Sequence, residues 1–184
     1  MNEQQFDQLL GRAYHNEAPA KILAAVEREP GLVTRASEVG GYTILHKASR
    51  WGHIDLACNL VDRKADVHQR TTKGWDALMF ASAYGHIPVM EFLLSRGADM
   101  TARNIKGDTA LGVAAWADKL LACKFLISRG SDLMSKTSDG ETALDIYGTA
   151  PSTPAPRRRN SVAKSCMSYL PRVRTHRRSR GAGT

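Results

Sequence analysis

The stretch GYTILHKASRWGHIDLACNLVDRKADV, residues 41–67, opens on a glycine, runs through two short apolar segments parted by Gly52, and closes on Ala-Asp-Val. Its first glycine returns at Gly74, Gly107 and Gly140, 33 residues apart each time, and each copy leads into a segment ending in leucine: GYTIL, GWDAL, GDTAL and GETAL. A unit this short cannot close a core of its own, so neighbouring copies must stack and bury one another's apolar faces in a one-dimensional array. The period therefore predicts a solenoid.

Within each unit a Thr or Asp precedes the first apolar positions, at Thr43, Asp76, Thr109 and Thr142. A side-chain oxygen there suits an N-cap, so a first helix is expected to begin at each. Five residues on lie Ala48, Ala81 and Ala114, small enough to let adjacent helices approach closely. Gly52 and Gly85 break the chain, and His53 and His86 follow them. A second helix is expected from the apolar stripes Ile54, Leu56, Leu60 and Val61, then Ile87, Val89, Leu93 and Leu94, then Leu120, Leu126 and Ile127. Gly97 and Gly130 mark its end at a left-handed C-cap. Lys64 fills that slot in the first full unit, where a left-handed backbone costs it roughly 1 kcal/mol relative to glycine.

This pattern resembles the ankyrin repeat, over roughly residues 38–146. The resemblance implies an all-α solenoid of stacked antiparallel helix pairs with β-hairpin-like fingers. On that register a repeat domain spans residues 1–148, with a divergent N-terminal capping unit at 1–37, full repeats at 38–70, 71–103 and 104–136, and a partial repeat at 137–148. In the capping unit Phe6, Leu9, Leu10 and Ala13 fall on one helix and Ile22, Leu23 and Val26 on another. The family's histidine after the N-cap survives only as His46, so most of the inter-repeat hydrogen bonding it supplies is expected to be absent. Tyr147 and Gly148 stand where the close-packing alanines belong, and no second helix follows. A native disordered tail, a truncated or differently spliced product and a lost reading frame each account for that break.

Charge divides the chain at the same place. Nine of the 26 basic residues, and none of the 18 acidic ones, lie in residues 149–184, leaving 17 basic against 18 acidic residues before them. The formal net charge of +8 thus belongs to the tail. Its Pro, Ser and Arg bias offers too little apolar surface to offset ordering entropy, so disorder is expected there. The three cysteines, Cys58, Cys123 and Cys166, make no short metal spacing, and their odd number points away from a disulfide scaffold. The start MNEQQFDQLL has neither a basic leader nor an apolar run of signal length. Charges at Asp118, Lys119 and Lys124 divide the most apolar stretch, Ala110 to Ile127, into two short helices rather than a membrane span. The expectation is a monomer of the cytoplasm or nucleus.

No nucleophile-and-base pair, phosphate-cradling loop or paired-carboxylate site is visible, and Gly40-Gly41 belongs to the repeat turn. No enzyme, cofactor or metal is expected. His46, His53 and His86 lie without carboxylate or thiol at ligand spacing and read as caps and inter-repeat bonds. The resemblance implies that partners meet the fingers and the exposed side of the first helices. Those places hold Tyr42, Arg50, Trp51 and Arg70, then Lys73, Trp75, Tyr84 and Arg103, then Lys106, Asp108, Trp116 and Lys136. Trp, Tyr and Arg dominate interface hot spots, which predicts a grip on an acidic segment of a protein partner. The alternative is that these aromatics pack across neighbouring hairpins with arginines stacked over them.

Two further readings of function stand beside the binding module. The basic clusters around Arg157–Arg159 and Arg174–Arg180 suit nuclear import or nucleic acid, with Ser161 as a phosphosite that would weaken such contacts. A targeting fragment of a larger enzyme or scaffold is the third. Salt separates the first two: tail-driven binding to nucleic acid is expected to fall steeply between about 50 and about 200 mM salt, and to vanish when residues 149–184 are deleted, whereas binding through aromatic surface persists.

Overall fold

The computed structural model describes residues 1–12, 18–136, 140 and 142. Among them are eight α-helices: α1 (Glu3–Arg12), α2 (Ala18–Arg28), α3 (Ile44–Trp51), α4 (Ile54–Asp62), α5 (Ala77–Tyr84), α6 (Ile87–Ser95), α7 (Ala110–Trp116) and α8 (Leu120–Ser128). A 3-10 turn, Pro30–Val33, follows α2. Helices this short are marginal in water and stand only by packing. The inner helices α3, α5 and α7 lie side by side, and each also packs on its outer partner, α4, α6 or α8.

Capping defines each inner helix. Thr43, Asp76 and Thr109 are extended, and their side chains accept from the backbone N–H of His46 (3.3 Å), Met79 (2.8 Å) and Gly112 (3.3 Å). Gly52 and Gly85, left-handed at φ 73° and 79°, end α3 and α5. The register's third such position is Asp118, at φ 58°, and α7 stops at Trp116, one residue early. The equivalent strain at Lys64 is present, with φ 74° where Gly97 and Gly130 have 88° and 91°.

The core consists of columns repeated every 33 residues. Ala48, Ala81 and Ala114 on the inner helices are fully buried, as are Leu60, Leu93 and Leu126 on the outer ones. Leu45, Leu78 and Leu111 form a third column, each contributing roughly 2 kcal/mol by leaving water. The same continuous core takes in Phe6 and Leu10 of α1 and Ile22 and Val26 of α2, with Leu9 and Leu23 partly buried against it. Ala13 and the elements expected at 137–184, apart from Gly140 and Thr142, lie outside the described residues, as do Ser161 and the basic clusters. No helix among the described residues is long and apolar enough to cross a membrane, and Ala117–Lys119 divide α7 from α8.

The fingers are short hairpins closed by Ser37 N–H to Tyr42 O (2.8 Å), Thr71 N–H to Trp75 O (2.9 Å) and Asn104 N–H to Asp108 O (3.0 Å). A fourth closure is the antiparallel bridge between Lys136 and Thr142. Ser37 to Tyr42 is one residue longer than its successors, and the extra length is absorbed by two consecutive left-handed glycines, Gly40 and Gly41. Adjacent fingers bond through Thr72 N–H to Gly40 O (3.0 Å) and Ile105 N–H to Lys73 O (3.2 Å). Gly74 permits this approach, since a Cβ there would stand 3.0 Å from Asn104 Cα.

Substitution of the two strained residues tests the register. Lys64→Gly is expected to raise unfolding stability by about 1 kcal/mol, and Asp118→Gly by less because Asp tolerates the left-handed region better. Gly52→Ala is expected to lower it by more than about 1 kcal/mol, because the new Cβ meets His86 Nδ1 at 2.5 Å besides the backbone strain. Urea midpoints of the three variants measure all three.

Candidate partner-binding site

Caps, fingers and inner helices together set the surface the sequence singled out. His46 occupies the third position of α3 and completes a capping box: its ring Nδ1 accepts from Thr43 N–H (3.0 Å). Nε2 lies 2.9 Å from Gln69 O, which the neutral ring satisfies with its single N–H. Burial, with Lys47 nearby, lowers the His46 pKa to about 4, although the Gln69 carbonyl opposes the shift. Asp76, the equivalent cap in the next repeat, is raised by burial against the Met79 N–H that stabilises its charge.

Phe80 gathers the first aromatic group. Its ring centroid lies 5.1 Å from Trp75, 5.9 Å from Tyr42 and 5.6 Å from His46, and Phe80 itself is buried. Tyr42 and Trp75 are half-buried against it, and Lys47 Nζ stands 4.5 Å above the Tyr42 ring. The second group spans α3 and α5: Trp51 and Tyr84 lie 6.1 Å apart, with the Arg50 guanidinium 5.4 Å from the first ring and 5.0 Å from the second. His86 stacks near Tyr84 at 6.4 Å and its Nε2 lies 3.0 Å from Arg50 O, which ties the start of α6 to the end of α3. Burial lowers the His86 pKa as well.

The finger cations divide by role. Arg70 donates to Arg103 O (3.2 Å), and Arg103 donates to Gly107 O (2.7 Å), Lys136 O and Ser135 Oγ. These arginines form a ladder with a 33-residue rung spacing. Lys73, Lys106 and Lys136 are exposed, while Asp108 is half-buried and its Oδ2 accepts from Asn104 Nδ2 (3.0 Å). Trp116 is 68% exposed, and no ring contact joins it to the other aromatics among the described residues. The structure thus brings Tyr42 and Trp75 each against Phe80, and Arg50 against Trp51 and Tyr84, but leaves Trp116 apart. Packing of Tyr42 on a ring of the next repeat and cation stacking are both present, though the finger rings meet an inner-helix ring rather than each other.

Phe80, Lys47 and His86 hold the two aromatic groups in place and were absent from the sequence-derived set. Lys47 and Phe80 share one repeat position with Val113, and a column holding a cation, an aromatic and an aliphatic residue gives no periodic signal. The same heterogeneity lets Phe80 meet three rings, while Lys47 stands over the Tyr42 ring alone. For metal, no group of three His, Cys, Asp or Glu side chains gathers among the described residues.

Stacked helix pairs joined by hairpin fingers define a helical-repeat scaffold with an open, finger-lined face. A family model of ankyrin repeats, in three copies, matches residues 45–137, half of the chain, and the protein belongs to that family. Comparison with the curated proteins gives no match. Ankyrin repeats are protein–protein interaction modules and typically non-catalytic, and a protein partner follows from that membership.

The His46 environment carries a pH dependence of definite sign. Its folded pKa lies below the unfolded value of 6.5, so the unfolded chain binds the extra proton. Stability is full above pH 6.5 and is lost as pH falls toward 4, by on the order of 3 kcal/mol from this group, with His86 adding in the same direction. Urea unfolding at several pH values is expected to show a shallower decline over this window for His46→Gln than for the native chain.

Proposed function

We propose that the protein is a non-enzymatic interaction module or adaptor, which holds a segment of a protein partner against its fingers and inner helices. The observation that carries this is the pair of preformed aromatic groups on that face. The Phe80 hub and the Arg50 sandwich fix Tyr42, Trp75, Trp51 and Tyr84 before any partner arrives, so less side-chain entropy is lost on contact. Tyr84 and Trp116, at 38% and 68% exposed, then offer rigid contact area, and Lys73 and Lys106 are exposed on the fingers. We place this activity inside the cell, in cytoplasm or nucleus, in keeping with an odd number of cysteines, which suits a reducing compartment better than a disulfide scaffold.

Structural and contact roles separate by mutation. Phe80→Ala is expected to lower unfolding stability by about 3–5 kcal/mol, because it leaves a cavity at the hub. Tyr84→Ala with Trp116→Ala is expected to change stability much less, yet to release partners that the full-length native chain retains in affinity capture. Retention of the same partners by the double variant would sink the proposal.

A further inference from the structure

We infer that Arg50 and Lys47 form the anion-receiving point of this surface, taking carboxylates from an acidic segment of a protein partner. The inference rests on the binding role proposed above and names the chemistry that role recognises. Three positions apart on α3, the two residues share one helical face. Each head group is held on an aromatic ring: Lys47 Nζ 4.5 Å from the Tyr42 centroid, Arg50 Cζ 5.4 Å from Trp51 and 5.0 Å from Tyr84. A guanidinium stacked on rings keeps its N–H edge free for a carboxylate in its own plane.

Six other arginines show what Arg50 lacks, while Arg28 is exposed at the end of α2 and stacks on no ring of the described residues. Arg35, Arg63, Arg96 and Arg129 each meet a carboxylate, on Glu3, Glu27, Asp62 and Glu91 respectively. Arg70 and Arg103 spend their donors on finger carbonyls. Neither Arg50 nor Lys47 makes an ion pair or donates a side-chain hydrogen bond among the described residues, and Arg50 Nε is buried with no acceptor. Because Nε is itself buried, an incoming carboxylate meets the two terminal nitrogens of the guanidinium, which donate to no group of the described residues.

Cations outnumber acids in the local field. Lys47 feels the Arg50 charge in addition to its burial, and both lower its pKa, while Asp7 of α1 is the acid acting on it from outside ion-pair range. Lys119 packs its side chain 3.3 Å from the Cβ position of Gly85 and adds a cation beside His86. A carboxylate placed between Lys47 and Arg50 relieves their repulsion and occupies the free fork. Planar, ring-walled recognition together with a protein partner favours an Asp- or Glu-bearing peptide over a nucleic-acid backbone.

Selection of a random twelve-residue peptide library on the full-length chain tests this. Enriched peptides are expected to carry Asp or Glu at a fixed position. Affinity for the most enriched peptide, read by fluorescence anisotropy, is expected to fall at least about tenfold in Arg50→Gln and nearly as far in Arg50→Lys, which keeps charge but loses the fork. Lys47→Gln is expected to weaken it less, and thermal melts establish that each variant is folded. Enrichment without acid, no enrichment, unchanged affinity in folded Arg50→Gln, or displacement of the peptide by a single-stranded oligonucleotide would overturn the inference. If Tyr84→Ala and Trp116→Ala weaken the peptide while Arg50→Gln does not, the anchor falls and the binding face stands. If none of these variants weakens it, both fall.

Discussion

Burial shared between neighbours is the constraint on which every other feature depends. No helix among the described residues exceeds 11 residues, and none encloses the leucines it carries. Leu60, Leu93 and Leu126 leave water because the outer helices pack on their inner partners and on one another. The alanine column at Ala48, Ala81 and Ala114 sets the distance between inner helices, and the fingers then arrive close enough for Thr72 and Ile105 to donate to the preceding finger. The binding face is a by-product of that spacing: Arg50 reaches both Trp51 and Tyr84 because α3 and α5 are held one alanine contact apart.

The fold was legible because its signals are periodic. Thr43, Asp76 and Thr109 cap where their position in the repeat said they would, and Lys64 adopts the strained backbone its slot demanded. Asp118 escaped notice since the stretch around it reads as an ordinary charged turn, and only the comparison with Gly52 and Gly85 exposes its left-handed backbone. The extra residue in the first finger was equally hidden. A pair of glycines reads as one flexible turn, whereas the chain uses each at a separate left-handed position.

The surface was less legible, for a physical reason. A repeat's core positions answer to the same environment in every unit, so identity recurs; its outward positions answer to whatever lies next to them, and identity drifts. Phe80 stands where Lys47 stands one repeat earlier, and that single change creates the hub for Tyr42, Trp75 and His46. Listing Trp and Tyr by position found the rings but not what joins them. Arg70 and Arg103 show the converse: their exposure fits a contact role, yet their donors already serve the fingers.

The arginine ladder gives the fingers a mechanical property. Arg70 is rooted in one finger and bonded to the carbonyl of the next, and Arg103 repeats the link one unit on. A tilt imposed on the finger of Arg103 must stretch the links on both sides of it, so load is shared among the three fingers they join. The finger edge therefore behaves as a continuous rib, stiff against local bending, and a molecule pulling on one tip is resisted by its neighbours too.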